Sequence, residues 1–342
     1  MRMVVLATIA VSAGLFAATS SANAAAYTFT TIDVPGALGS SGAAGINNAG
    51  QIVGGFADHA GPHGYLDTGG SFTTIDVPGA SSTEALGISN AGQIVGDTQN
   101  RGGRPLLLPL GHGFFYSGGG FTAIDVPGAL GTSALGINDA GQIVGIFRTS
   151  NSSTGDHSFL YANGSFTMLE VPGAANTRAS GINDAGQIVG RVDSACPPPF
   201  PPGTCIDGIH GFLDAGGTFT TIDVPGAEAT EALGINNAGQ IVGDFSTSMG
   251  LSAFVDTDGS FTTFEVPGSV EGSTIPFGIN DAGQIVGVFE VQTGTGIGSI
   301  ITGHGFLATP ISEVPEPSSF ALLGVGVIGL GILRRRKRAS PR

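Results

Sequence analysis

The sequence predicts an all-β fold, a six-bladed β-propeller of four-stranded antiparallel blades closed by the N-terminal strand. Three observations lead there. A ten-residue phrase, Gly-Ile-Asn-Asn-Ala-Gly-Gln-Ile-Val-Gly at Gly45, returns with one or two changes at Gly87, Gly136, Gly181, Gly234 and Gly278, at spacings of 42, 49, 45, 53 and 44 residues. A second phrase, Phe-Thr-Thr-Ile-Asp-Val-Pro-Gly or a close variant, starts at Phe29, Phe72, Phe121, Phe166, Phe219 and Phe261. A third, His-Gly-Phe-Leu or similar, starts at His63, His112, His157, His210 and His304, with Ser252-Ala253-Phe254 in the fifth place.

Each repeat reads as four short strands. Ala-Leu-Gly-Ile-Asn makes the first and Gln-Ile-Val-Gly with the following residues the second. Between them, Asn-(Asn/Asp)-Ala-Gly fits a type I turn whose last residue takes a positive φ, which is why glycine recurs at Gly50, Gly92, Gly141, Gly186, Gly239 and Gly283. The third strand, Gly-Phe-Leu-Tyr or similar, meets the fourth across turns such as Thr68-Gly69-Gly70, Ala162-Asn163-Gly164 and Asp256-Thr257-Asp258-Gly259. The fourth ends at Pro35, Pro78, Pro127, Pro172, Pro225 and Pro267, because proline has no N–H to give the ladder.

The array begins with a fourth-strand phrase at Phe29 and stops with a third-strand phrase at His304-Gly305-Phe306-Leu307. The first strand is therefore expected to complete the last blade, joining the two ends in one sheet and hiding an edge. The competing architecture, an open solenoid or a string of small β-modules, calls for capping repeats, and neither end of the array looks like one.

The flanks have a different character. Met1-Arg2-Met3-Val4-Val5 continues apolar to Ala18 and reaches small residues at Ala22-Asn23-Ala24-Ala25-Ala26, the pattern of a secretory signal peptide over residues 1–26, cut after Ala24 or Ala26. The propeller is expected over 27–309 and a linker over 310–319. An uncharged run of 14 residues, Phe320 to Leu333, reads as a transmembrane helix, and residues 334–342 form a basic cytoplasmic tail beginning Arg334-Arg335-Arg336-Lys337-Arg338. At about 1.5 Å per residue the run reaches only about 21 Å, short of the ~30 Å hydrocarbon core, so it suits a temporary anchor better than a permanent one.

Seven of the 12 Lys and Arg lie in the flanks, which leaves five against 26 acidic residues over 27–316, a net of −21. A body this acidic does not bind nucleic acid through its phosphates, nor adhere to anionic lipid. The two cysteines, Cys196 and Cys205, share the insertion CPPPFPPGTC. In an oxidising exported setting they are candidates for a local disulfide, free thiols being the alternative, and two thiolates without a neighbouring His pair do not make a zinc site.

The His-Gly-Phe phrase together with GINNAGQIVG resembles the extracellular HAF-type repeats of bacterial surface proteins, over residues 29–307. The tail Val314-Pro315-Glu316-Pro317-Ser318-Ser319, followed by an apolar run and an arginine cluster, resembles a PEP-CTERM sorting signal. That resemblance implies recognition by an exosortase, a membrane-embedded cysteine transpeptidase-like enzyme. It also implies removal of the tail and delivery from an inner-membrane intermediate to the cell surface or the exopolysaccharide matrix. The signal residues would be Val314, Pro315, Glu316, Pro317, Arg334, Arg335 and Arg336. The prolines hold residues 314–317 extended and free of helix, a form a processing enzyme can read. A plain single-pass anchor behind a proline-containing linker is the alternative.

Nothing in the repeats reads as catalytic. The five histidines are spread over different blades and are expected to bond local backbone at strand starts. The acidic residues Asp33, Asp76, Asp125, Glu170, Asp223 and Glu265 occupy equivalent environments, which argues for structure over acid–base chemistry. No EF-hand loop, Ser-His-Asp order, phosphate-binding loop or dinucleotide fingerprint occurs, so no cofactor is expected, with a structural calcium as the alternative. No cluster of unlike polar residues stands out in any blade. The expected function is that of a non-enzymatic, monomeric, exported cell-surface or exopolysaccharide-matrix protein. Its loop-rich face, where residues 97–111, 147–156, 191–209 and 288–303 carry the length changes, would meet a polysaccharide or a surface protein. An extracellular glycan hydrolase or lyase on the same scaffold is the alternative.

Overall fold

The computed structural model describes residues 27–99, 111–149, 156–194, 208–294 and 299–311. The expected signal helix, the two cysteines, residues 312–319 of the linker, the apolar helix and the basic tail lie outside them, while Pro310, expected to open the linker, instead ends the last strand opposite Tyr27. Among the described residues no helix is long and apolar enough to cross a membrane.

The strands run in chain order. β1 (Tyr27–Ile32) stands alone at the start, and the first repeat follows as β2 (Ser41–Ile46), β3 (Gln51–Ala57), β4 (Pro62–Thr68) and β5 (Ser71–Ile75). The second holds β6 (Ser82–Ile88), β7 (Ile94–Gln99), β8 (His112–Ser117) and β9 (Gly120–Ile124). The third holds β10 (Gly131–Ile137), β11 (Ile143–Arg148), β12 (Asp156–Ala162) and β13 (Ser165–Leu169). The fourth holds β14 (Asn176–Ile182), β15 (Gln187–Ser194), β16 (Gly208–Ala215) and β17 (Phe219–Ile222). The fifth holds β18 (Ala229–Ile235), β19 (Ile241–Thr247), β20 (Gly250–Thr257) and β21 (Ser260–Phe264). The sixth has three strands of its own, β22 (Ile275–Ile279), β23 (Ile285–Thr293) and β24 (Ile300–Pro310).

Repeats one, two and three each form a four-stranded antiparallel sheet in chain order. The sheets of repeats four and five are joined only by a parallel bridge from Ile209 to Ala229. In the sixth the order is β1-β24-β23-β22, with Tyr27 opposite Pro310 and Ile32 opposite Gly305, so the N-terminal strand supplies the fourth strand. The fold is all-β and β-propeller-like.

Local chemistry sets each element. The turn between first and second strands closes as expected, with the Gly50 N–H donating to the Asn47 carbonyl at 3.0 Å and Gly50 at φ +75°. The hairpin between third and fourth strands is tighter than a generic turn. Asn163 and Gly164 have φ of +52° and +79°, and Asp258 and Gly259 +52° and +81°, the type I′ geometry that matches strand twist. After each fourth strand the chain crosses to the next repeat through Val-Pro-Gly; in five of the crossings a threonine hydroxyl accepts the valine N–H, as Thr83 does from Val77 at 3.1 Å, and after β1 the Ser41 hydroxyl donates to the Ile32 carbonyl instead.

The apolar residues sort into six clusters, each formed between one repeat and its neighbour. Val53 of the first repeat, for example, packs with Ile75, Ala85, Ile88, Ile94 and Phe114 around the second. A repeat therefore cannot bury its own faces alone, as in any stacked array.

Candidate functional site

Two rings of contacts run between the first hairpins of successive repeats. In one, a β-carbon built on Gly45 would lie 3.3 Å from the Gly87 Cα, and the same relation links Gly87 to Gly136, Gly136 to Gly181, Gly181 to Gly234 and Gly234 to Gly278. Gly278 returns to Gly45 at 3.2 Å. Six backbones meet so closely that no side chain fits between them.

Just outside, the turn residues form the second ring. The Asn48 N–H donates to the Asn90 side chain, Asn90 to Asp139, Asp139 to Asp184, Asp184 to Asn237, Asn237 to Asp281, and Asp281 back to Asn48, all at 2.7 or 2.8 Å. Burial pushes the Asp281 carboxyl up, but the Asn237 N–H and the amides of Asn48 and Asn237 outweigh it and hold its pKa below the ordinary value. The buried residue one position earlier adds a third tie. The Asn236 Nδ2 donates to the Asn280 carbonyl at 3.0 Å, with the same bond at Asn47, Asn138, Asn183 and Asn280. Ser89 occupies this place in the second repeat and turns its hydroxyl to Gln93 instead. Only about 60 Å³ remains open at this mouth.

Toward the other end, where the second-to-third-strand loops and the Val-Pro-Gly crossings lie, the inner wall changes character from repeat to repeat. One cross-strand pair per repeat occupies the same register, namely Gly42 with Gly55, Glu84 with Asp97, Ser133 with Ile146, Arg178 with Arg191, Glu231 with Asp244, and Ile275 with Val288. Neighbouring pairs touch. The Ser133 hydroxyl donates to Asp97 at 2.6 Å, Arg191 is paired with Glu231, and a β-carbon on Gly42 would stand 2.9 Å from Val288 Cγ1.

No cluster of unlike polar residues was expected within any one blade, and the structure assembles one across the third, fourth and fifth repeats. Arg191 and Glu231 form an ion pair, and buried Asp156 sits between Arg148, whose Nε donates at 2.7 Å, and Arg178, whose Nη2 lies 3.1 Å away. Burial, together with neighbouring Arg191, lowers the Arg178 pKa. Burial and then Glu231 raise the Asp244 carboxyl to about 7, with Arg191 opposing them. Desolvation by the surrounding wall also raises Asp97 and, although its side chain is exposed toward the axis, Glu84, the latter further by the charge of Asp97. The signal lay in the repeats, in the residue before Ala in the first strand and the one after Ile-Val-Gly in the second, which vary inside otherwise constant phrases.

Where the wall carries glycines it opens. A cavity of about 400 Å³ lies against Gly42 and Gly55, bounded by Phe56, Glu84, Phe277 and Val288 and reaching outward to Ser40, Pro62 and His63.

The histidines also depart from expectation, because their partners are carboxylates rather than backbone. Nδ1 of His63, His112, His157, His210 and His304 lies 2.7–3.1 Å from an oxygen of Asp76, Asp125, Glu170, Asp223 and Asp33 respectively. Each pair pins the start of a third strand to the end of its fourth, and the last ties residue 304 to residue 33. Burial alone would lower the His63 pKa, yet Asp76 and Asp58 together raise it. Glu265, the sixth acidic residue of the set, lies in the repeat with serine at the histidine position, and among the described residues no histidine pairs with it. Among the described residues no group of three or more His, Cys, Asp or Glu is placed to hold a metal ion.

Comparison with family models finds the PEP-CTERM protein-sorting motif at residues 313–337. The motif implies an exported protein processed by an exosortase-type enzyme. Comparison with curated proteins gives no match. Among solved structures, the chain is similar to a catalytically inactive virginiamycin B lyase from Staphylococcus aureus determined with quinupristin, at 13% identity and TM-score 0.45 over 84% of this chain and 100% of that one. It is similar to a gluconolactonase from Xanthomonas campestris at 12% identity and TM-score 0.46, over 85% and 91%. The β-propeller domain of the Trilobed protease from Pyrococcus furiosus is similar at 9% identity and TM-score 0.43, over 83% and 98%.

Proposed function

We propose that this chain is a non-enzymatic, monomeric cell-surface or exopolysaccharide-matrix protein. Its repeats form a six-bladed propeller, closed like a cup at one mouth and binding an extracellular polysaccharide or surface protein at the other. The observation that carries this reading is the asymmetry of the axis. The turn-side mouth is sealed by backbone and asparagine contacts, whereas the loop-side wall differs in every repeat and leaves a cavity of about 400 Å³. A rigid ring with a variable open end is what a binding scaffold needs. The unbroken round of hydrogen bonds through six turns supports the blade count. Export through a signal peptide over 1–26 and sorting through Val314 to Pro317, the apolar run 320–333 and Arg334 to Arg336 complete the reading. The test of binding is retention of the exported protein by the polysaccharide of a producing cell, and no retention would contradict it.

Replacing Glu316 and Pro317 by alanine is expected to leave the tail uncut. The full-length form should then accumulate in the membrane fraction of a host that has an exosortase. Immunoblotting of fractionated cells measures this, and unchanged processing would contradict the sorting role.

One observation favours a second reading, an extracellular glycan hydrolase or lyase. Asp244, raised to about 7, and the ion-paired Glu231 are two carboxyl groups in unlike settings beside Arg191, the kind of difference acid–base catalysis exploits. Release of reducing ends from the retained polysaccharide, lost in Asp244→Asn, would support it over the binding reading.

A further inference from the structure

The 400 Å³ cavity is large enough for a small ligand, and its chemistry is one-sided. Most of the wall is apolar, contributed by Ala43, Phe56, Leu86, Phe277 and Val288 among others. Of its polar side chains, the Ser40 hydroxyl accepts the Gly303 N–H at 3.2 Å and the Ser41 hydroxyl donates to the Ile32 carbonyl at 3.1 Å. His63 is bracketed by Asp58 and Asp76. Glu84, exposed to the cavity, alone has neither a hydrogen-bond partner nor an ion-pair partner among the described residues, and the charge that acts on it is that of its like-charged cross-strand partner Asp97. The wall holds no Lys or Arg, and the one group able to become cationic, His63, faces two carboxylates.

We propose that this cavity is a binding pocket for a protonated amine carried on a ring-sized body, with Glu84 as its counter-ion. An anion would meet only negative charge there. A metal ion would find one carboxyl and apolar walls rather than the six to eight oxygens that calcium takes. An organic ammonium ion satisfies the lone carboxylate with a charge-assisted hydrogen bond while its ring covers the apolar wall. The acidic body attracts such cations from solution. An aromatic amine and a hexosamine unit of a polysaccharide share this chemistry. The second would deepen the binding reading above, on which this proposal rests only for the choice of mouth.

Gly55 makes the test sharp. A β-carbon there would meet the His63 carbonyl at 3.7 Å and Glu84 Cγ at 3.8 Å, ordinary contacts, and the equivalent positions in the other repeats carry Asp97, Ile146, Arg191, Asp244 and Val288. Gly55→Ile therefore copies what the third repeat already accommodates and fills the cavity. The full-length protein in detergent is titrated with benzylamine, benzyl alcohol, glucosamine and glucose by ligand-observed NMR, against detergent alone. At least one amine is expected to bind, with a dissociation constant on the order of 1 mM, and its neutral counterpart is not. Which amine binds distinguishes the two sources. Glu84→Gln should weaken binding roughly tenfold and Gly55→Ile abolish it, both with an unchanged circular dichroism spectrum. Equal binding of the alcohols, amine binding that survives Gly55→Ile, or binding by neither amine would overturn the proposal. Polysaccharide retention that persists in that case would leave the broader function standing.

Discussion

Gly243→Ala is expected to destabilise the protein by on the order of 4 kcal/mol or more, enough to stop the fifth repeat from folding. A β-carbon at this position would lie 1.9 Å from the Glu231 carbonyl oxygen and 2.9 Å from two ring carbons of Phe254. Neither neighbour can yield. The carbonyl belongs to the first strand, held to the second from Ala229 opposite Ser246 to Ile235 opposite Ile241, and Phe254 is fully buried between repeats. The register slips between Ala232 and Gly234, so the first strand bulges toward the second where the glycine stands. This clash accounts for the last glycine of the ten-residue phrase, since Gly54, Gly96, Gly145, Gly190 and Gly287 meet their partner strands at 1.9–2.1 Å in the same way. Urea unfolding measures the effect, and a loss under about 1 kcal/mol would mean that the bulge is not where we describe it.

Asn236→Ala is expected to cost about 2–4 kcal/mol and lower the unfolding midpoint by roughly 5–10 °C. The buried side chain makes four hydrogen bonds. Its Nδ2 donates to the Asn280 carbonyl and to Gln240 Oε1, and its Oδ1 accepts the N–H groups of Ala238 and Gln240, at distances of 2.9–3.1 Å. Alanine strips all four, including the tie to the Asn280 carbonyl of the next repeat, which keeps only the Gly283 N–H of its own turn. Asn236→Ser should cost less than alanine, because Ser89 already fills the equivalent place and bonds Gln93 within its own turn. Differential scanning calorimetry ranks the three proteins, and serine falling at or below alanine would contradict the role assigned to the side chain.

Much of the fold was legible because the repeats state it six times. The phrase at Gly45 fixed one hairpin, the glycine at its fourth turn position carries the expected positive φ, and the unmatched fourth-strand phrase at Phe29 foretold the pairing of β1 with β24. The histidine partners were not legible. His63 meets Asp76 only once β4 and β5 are in register, with Gly64 opposite Ile75. The wall of the axis was hidden for a different reason. Glu84 and Arg191 are ordinary strand residues along the chain, and neighbours from other repeats meet them, Gly55 for Glu84 and Glu231 for Arg191. Constant positions drew the eye, whereas the varying ones inside the constant phrases hold the individual chemistry of this protein.

The proposed closed ring underlies both the sealed mouth and the cavity, and its seam is the pairing of the first strand with the last. Thr28 and Thr309 are direct partners there, with the Thr28 hydroxyl donating to the Thr309 carbonyl at 3.3 Å. Opposed residues of antiparallel strands lie within the range a disulfide can span. The most direct measurement is oxidative cross-linking of Thr28→Cys/Thr309→Cys, in a background with serine at 196 and 205. A closed ring predicts a monomeric species of raised unfolding temperature that runs faster on a non-reducing gel than on a reducing one. Cross-linked dimers and higher species, or no cross-link at all, would contradict it.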